Sequence, residues 1–195
     1  MQIRDSELVQ IVDAALADAT QRAGSWLACR PGCTQCCHGV FSINALDAAR
    51  LQSGMQSISV SDPQLAKSLR QRAQLWIDQY GADFPGDLAT GLLGTTEADQ
   101  ARFEDFANDV PCPALNLETG LCDVYAFRPM TCRIFGPPVR VPVSDALGCC
   151  ELCFIGANDN QIAACEMHLP HGLENSLLAD LGDSRETIVA FALLR

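Results

Sequence analysis

The sequence predicts a mainly α-helical domain with one small β-hairpin, whose irregular cysteine-rich loops wrap around a metal centre. Three observations carry this prediction. Apolar residues recur at helical spacing through the first eighty residues and again at the end of the chain. Eleven cysteines are present, and ten of them fall into three groups: Cys29, Cys33, Cys36 and Cys37; Cys112, Cys122 and Cys132; Cys149, Cys150 and Cys153. The N-terminus, Met1 to Glu7, has no basic stretch leading into an apolar run and does not read as a secretory leader. The expected compartment is therefore the cytoplasm, where thiols stay reduced and clustered cysteines read as metal ligands rather than disulfides. The odd count also leaves one cysteine over in any full pairing.

At 195 residues the chain is expected to form a single domain over 1–195. Within it a cysteine-cluster region spans about 29–153, and a helical extension spans about 154–195. The formal net charge is −11, and the thirteen basic residues form no run, which argues against a nucleic-acid partner. No apolar stretch approaches the ~18–20 residues of a membrane span, so no membrane partner is expected. Lys67 is the only lysine, and it sits on an expected solvated helix face, which leaves lysine-nucleophile chemistry one poor candidate.

Taken in order, residues 6–26 carry Leu8, Ile11, Val12, Ala15, Leu16 and Ala19 at amphipathic-helix spacing. Asp5 or Ser6 would cap that helix, Gly24-Ser25 would end it, and Trp26 and Leu27 would pack back onto the core. Residues 28–39 form the first cysteine loop, with Pro31-Gly32 as a turn and Gly39 closing it. Val40 to Ile43 alternates like a short strand. Asn44 is expected to cap a helix from Ala45 to about Ser53, stopped by Gly54. Asp62 and Pro63 open a longer helix that ends at Gly81, with Leu65, Leu69, Ala73, Trp76, Ile77 and Tyr80 on one face. Residues 81–95 read as the longest loop, and Gly91-Leu92-Leu93-Gly94 lacks the ending of a phosphate-binding loop.

Thr96 and Asp99 form a capping box for a helix to about Asn108, with Phe103, Phe106 and Val110 as its apolar side. Pro111 to Leu117 and Leu121 to Tyr125, joined by Glu118-Thr119-Gly120, read as the hairpin. Arg128-Pro129 forces an extended residue and then permits a short helix from Met130 to Phe135, ended by Gly136. Val139 to Val143 is expected as an edge strand, where Pro142 would confine it. Two helices close the chain. One spans Leu173 to Leu181; the other has Asp183 and Glu186 as capping box and Ile188, Val189, Phe191, Ala192 and Leu193 as apolar side.

Thiolates are strong ligands for zinc and for iron–sulfur clusters. The ten grouped cysteines are therefore the candidate ligands. Cys112, Cys122 and Cys132 recur every ten residues, which suits a hairpin followed by a helical turn with the thiols converging. Cys132 is expected in the first turn of its helix, where the positive helix end favours a thiolate. Arg128 and Arg133 are expected beside the ligands, offsetting the negative charge of a four-thiolate centre and donating hydrogen bonds to sulfur. Cys165 stands apart and reads as a buried apolar residue. His38 follows the Cys36-Cys37 pair and reads as a loop histidine or an orienting group. His168 and His171, flanking Pro170, have no third partner nearby in sequence.

Cys-Arg-Pro-Gly-Cys-Thr-Gln-Cys-Cys, then Cys-Pro-Ala-Leu, Gly-Leu-Cys-Asp-Val-Tyr and Arg-Pro-Met-Thr-Cys-Arg, in that order, resemble the CxxCxxCC family, also called YkgJ-type cysteine-cluster proteins. The resemblance implies a zinc- or iron-chelating domain with about eight ligating cysteines. Position by position these are Cys29, Cys33, Cys36, Cys37, Cys112, Cys122 and Cys132, plus one of Cys149, Cys150 and Cys153. Some larger proteins with this domain resemble flagellin lysine methylases, which implies a link to S-adenosylmethionine chemistry. Cys29-x3-Cys33-x2-Cys36 also has the spacing of radical-SAM cluster loops, yet it follows a helix rather than a barrel strand, and no βα repeats follow.

The reading is a metal-binding cysteine-cluster protein. One alternative is an iron–sulfur oxidoreductase or SAM-dependent methyltransferase using the cluster, with one open coordination position. Another is a zinc-stabilised module for a protein partner. Apolar neighbours of the thiols, Val40, Phe41, Val124, Tyr125, Ile134, Phe135, Phe154 and Ile155, tilt the expected cofactor from Zn²⁺ toward an iron–sulfur cluster. The pairs Cys33/Cys36 and Cys150/Cys153 lack the βαβ surroundings of a thioredoxin-like redox motif.

Overall fold

A computed structural model describes residues 2–141 and 145–195. Its elements in chain order are α1 (Gln2–Ala23), α2 (Ala45–Ser61), α3 (Pro63–Tyr80), β1 (Gly86–Asp87), β2 (Leu92–Leu93), α4 (Glu97–Glu104), β3 (Leu115–Asn116) and β4 (Leu121–Cys122). There follow α5 (Met130–Ile134), β5 (Val139–Arg140), β6 (Leu147–Gly148), α6 (Asp159–Ala163), α7 (His171–Leu181) and α8 (Val189–Ala192). The fold is mainly α with small antiparallel hairpins, β1 with β2, β3 with β4 and β5 with β6. The chain divides into two compact units: residues 1–33 with 130–182, and residues 34–129 with 183–195.

In the first unit α1 packs against α5 and α7. It starts at Gln2, earlier than expected, so Asp5 lies in its first turn rather than capping it. Leu8, Val12 and Ala19 are buried, as the helical spacing requires, while Ile11 faces solvent. Gly24 turns with φ 51° and ends the helix. Arg22 then ties the helix end to residues 164–166, donating to the carbonyls of Ala164 (2.6 Å) and Glu166 (2.9 Å). A second patch of core is made of Ala23, Cys150, Cys153, Phe154 and Cys165, with Trp26, Leu27 and Ala28 against it. Cys165 is thus buried as an apolar residue. Helix α6 was not foreseen, although its capping box, Asn158 with Gln161, is present in the sequence. Pro142 and Val143, the far end of the expected edge strand, lie outside the described residues.

In the second unit α2 and α3 pack against each other and against α8. Leu51, Met55, Leu69, Ala73, Val124 and Leu193 are the centre of its core. An aromatic layer continues it, with Phe84 against Phe191 (4.8 Å) and Phe106 (5.9 Å), and Phe106 against Trp76 (5.9 Å). Asn44, Asp62 and Thr96 cap their helices as expected, and Thr96–Asp99 is a full capping box.

Four expectations for this unit are corrected. Gly54 does not stop α2. A β-carbon there would stand 2.3 Å from Phe127 Cγ, so the glycine makes room for a ring rather than ending a helix. Val40 to Ile43 is not a strand but carries a single bridge, Ile43 with Thr187, through hydrogen bonds of 2.8 and 3.0 Å. Residues 81–95 are not all loop, since β1 and β2 pair within them. Asp183 and Glu186 form no capping box. Asp183 instead accepts from the Arg185 amide and guanidinium, Thr187 joins the bridge, and α8 starts only at Val189.

Candidate metal centre

In the second unit the chain brings Cys36 and Cys37 to Cys112 and Cys122 by backbone pairing. Residues 35–37 form one 3-10 turn, closed by the Cys37 amide on the Thr34 carbonyl (2.8 Å). The next residues then lie against 110–112: Gly39 N–H donates to Val110 O (3.0 Å), and Cys112 N–H donates to Cys37 O (2.8 Å). Gly39 has φ 89°, and a β-carbon there would meet Asn108 O at 2.6 Å, so the close approach needs glycine. From Cys112 the chain turns through Leu115 N–H to Cys112 O (2.9 Å) into β3, where Leu115 pairs with Cys122.

The four thiols interact. Cys37 donates to Cys36, which, with the Arg128 guanidinium adding to it, brings the Cys36 thiol down to about 6 against the effect of burial. As the donor, and with burial and the charges of Cys36, Cys112 and Cys122, Cys37 is pushed far up. Burial raises Cys112 to about 12, opposed by the nearby amides of Ala114 and Leu115. Burial also raises Cys122, opposed by the Val124 amide and Arg128. Arg128 is buried, donates to Tyr125 O (2.9 Å) and stacks over the Tyr125 ring at 3.9 Å.

Behind Cys112 lies a cavity of about 20 Å³, lined by Val40, Phe41, Trp76 and Ile188 among others, with room for about one water. Trp76 Nε1 is buried and meets no hydrogen-bond partner among the described residues. His38 Nδ1–H donates to Thr34 O (3.0 Å), within its own turn.

In the first unit Pro31-Gly32 makes the expected turn, with Gly32 at φ 89° and Cys33 N–H on Arg30 O (2.9 Å). Across from it Phe154 N–H donates to Trp26 O (2.8 Å), and the two rings stack 6.5 Å apart. Phe154 holds φ 57°, a costly conformation for a bulky residue, and it reverses the chain directly after Cys153. That reversal presents Cys153 Sγ to the Ala28 amide, which donates to it at 3.4 Å. Cys153 N–H in turn donates to Cys150 O (2.9 Å), and Cys150 N–H to Gly136 O (3.2 Å). Gly136 has φ 123°, and a β-carbon on it would stand 2.7 Å from Cys29 Sγ, so this glycine is the notch that admits the thiol.

Burial pushes the Cys29 thiol up to about 12, followed by the charge and hydrogen bond of Cys153 and the charges of Cys33 and Cys150. Cys150 is raised by burial and Cys153, opposed by the nearby Leu152 amide. Cys149 is raised by burial and by Cys153. Cys132 lies in α5 of this unit. Arg133 in the same helix is buried and meets both Asp13 carboxylate oxygens at 2.8 Å. His168 is exposed, 3.8 Å from Glu166. The side chain of His171 lies outside the described residues.

Cys36, Cys37, Cys112 and Cys122 thus influence one another within the second unit, and Cys29, Cys33, Cys149, Cys150 and Cys153 within the first, where Cys132 also has an interaction of its own. The sequence did not reveal the Ala28 amide donor or the Gly136 notch. The only signal for the notch is a glycine directly before Pro137-Pro138. The apolar shield expected around the thiols is partial, because Tyr125, Phe135 and Ile155 are 61%, 44% and 74% exposed. The donor chemistry fits a thiophilic metal: thiols gathered in two groups, with the Ala28 N–H on Cys153 Sγ. Among the described residues no three His, Cys, Asp or Glu side chains are already disposed to hold an ion, so binding would draw the thiols in. No helix among the described residues is long and apolar enough to cross a membrane.

A family model, CxxCxxCC, "Putative zinc- or iron-chelating domain", matches residues 28–153. No curated protein and no solved structure matches the chain.

Proposed function

We propose, from the premise that this chain belongs to the CxxCxxCC family, that it is a metal-binding protein whose cysteine thiolates hold zinc or iron and whose irregular loops depend on that metal. The ligands are drawn from Cys29, Cys33, Cys36, Cys37, Cys112, Cys122, Cys132 and the Cys149–Cys153 cluster. The observation that carries the reading is the gathering of cysteines by backbone pairing, with Cys112 N–H on Cys37 O at 2.8 Å, Cys122 paired with Leu115, and Ala28 N–H on Cys153 Sγ at 3.4 Å. A neutral thiol is a weak acceptor. The amide held on Cys153 Sγ lowers the cost of carrying a thiolate there.

When bound, a zinc ion would supply folding energy, and an iron–sulfur cluster would supply one-electron chemistry. The protein's own part is the same in both cases. Gly136 and Gly39 let loops approach closely, Phe154 aims Cys153, and Arg128 offsets thiolate charge near Cys36 and Cys122.

A cluster-using enzyme is the second reading, favoured by the burial of Val124 and Phe154 next to thiols. Its radical-SAM form has less support, since the thiol neighbours found for Cys36 are Cys37 and Cys122, not Cys29 and Cys33.

The test is anaerobic purification with metal and sulfide analysis and a visible spectrum. Stoichiometric zinc and no colour support the structural module. Iron matched by sulfide, with broad absorption near ~400 nm, supports the cluster reading. Protein that neither retains nor rebinds either metal refutes both.

A further inference from the structure

We infer that the chain holds two separate four-cysteine metal sites, one built from Cys36, Cys37, Cys112 and Cys122 and the other from Cys29, Cys33, Cys150 and Cys153. This rests on the thiolate-metal reading above and goes beyond it by fixing the number of centres and the partition of ligands.

Each set is closed within one compact unit. Cys37 is bonded to Cys112 through its carbonyl (2.8 Å), and its thiol senses Cys36, Cys112 and Cys122. The thiol neighbours of Cys122 include Cys36. In the other unit Cys29 senses Cys153, Cys33 and Cys150, and Cys150 senses Cys153 and Cys33.

Four thiolates complete a tetrahedral zinc ion, or the four corners of a small iron–sulfur cluster. Each set is therefore sufficient by itself. The motif Cys33-x2-Cys36 is then not one knuckle but the junction at which consecutive ligands go to different metals. Backbone geometry gathers each set: Cys112 N–H lies on Cys37 O and Leu115 pairs with Cys122 in one, while Cys153 N–H lies on Cys150 O and Cys150 N–H on Gly136 O, beside Cys29 Sγ, in the other.

The test is metal stoichiometry on the full chain, purified anaerobically, for the wild type, Cys112→Ser, Cys150→Ser, the double variant and Cys149→Ser. Two zinc ions or two clusters per chain are expected in the wild type and in Cys149→Ser, one in each ligand variant and none in the double variant. Because a ligand variant can lose both metals by unfolding, Co²⁺ titration of metal-free wild type is the second measurement. Two equivalents of tetrahedral, all-sulfur Co²⁺ are expected, with no bands from bridging thiolates. One centre per chain, thiolate-bridged cobalt, or full loss of metal in a ligand variant that remains folded by circular dichroism overturns the partition. Absence of any metal in the wild type, and failure to take up cobalt, overturns the metal reading itself.

Discussion

Gly136→Ala should damage the first unit through one thiol. The backbone at 136 has φ 123°, outside the range that side-chain-bearing residues ordinarily adopt, and holding alanine there costs about 1–3 kcal/mol. The new β-carbon would stand 2.7 Å from Cys29 Sγ. Ordinary contact is about 3.5–4 Å, so the overlap is on the order of 1 Å, and overpacking of that size costs about 1–3 kcal/mol more. Cys29 is partly exposed and can swing away, which places the total in the lower half of the sum, about 2–4 kcal/mol. The assay is urea unfolding of metal-free protein, read by circular dichroism, together with metal retention in the loaded form. Cys29→Ala separates the two causes. In that background the overlap is gone, the backbone cost remains, and the two substitutions should couple by about 1–2 kcal/mol. An unchanged midpoint in Gly136→Ala, or a cost that Cys29→Ala does not reduce, would show that the glycine is not the notch for this thiol.

In the second unit Gly54→Ala should invert the usual helix rule. Glycine to alanine inside a helix ordinarily gains about 1 kcal/mol, but here the β-carbon meets the Phe127 ring at 2.3 Å, so a net loss of about 1–2 kcal/mol is expected. Combined with Phe127→Leu the same change should turn favourable, and denaturant midpoints showing a gain in the wild-type background would refute the packing account. Asp47→Ala leaves Arg50, 8% exposed and ion-paired with it, without that carboxylate, at a cost of about 3–5 kcal/mol. Thermal unfolding that drops by less than a degree or two would mean that the pair is solvated. Trp76→Phe removes an indole N–H whose burial costs about 1–3 kcal/mol, against a similar loss of ring packing, so stability should change by no more than about 1 kcal/mol. A loss above about 3 kcal/mol in chemical denaturation would mean that Nε1 is hydrogen-bonded after all.

What could be read from the sequence was whatever depends on neighbours a few residues away. The caps at Asn44, Asp62 and Thr96, the turn at Pro31-Gly32 and the hairpin around Gly120 depend on local backbone geometry, and they stand where their residue types put them. Glycine was the ambiguous letter. Gly24 ends a helix, but Gly54 lies mid-helix because of Phe127, a residue seventy-three positions away that no local pattern contains. Asp183 shows the same limit in reverse. It has capping-box spacing, but the chain after it is taken up by the Thr187–Ile43 bridge, so no helix starts there to be capped. The cysteines obey this division too. Their number and density made a metal the natural reading, but their grouping is decided by long-range pairing. Residues 37–39 lie along 110–112, while Phe154 folds Cys153 back to Ala28. Cys33 and Cys36 are three residues apart and fall in different groups, whereas Cys37 and Cys112 are far apart in sequence and fall in one. On the two-site proposal, a short spacing between cysteines argues for a shared metal only where the chain between them stays in one folded unit.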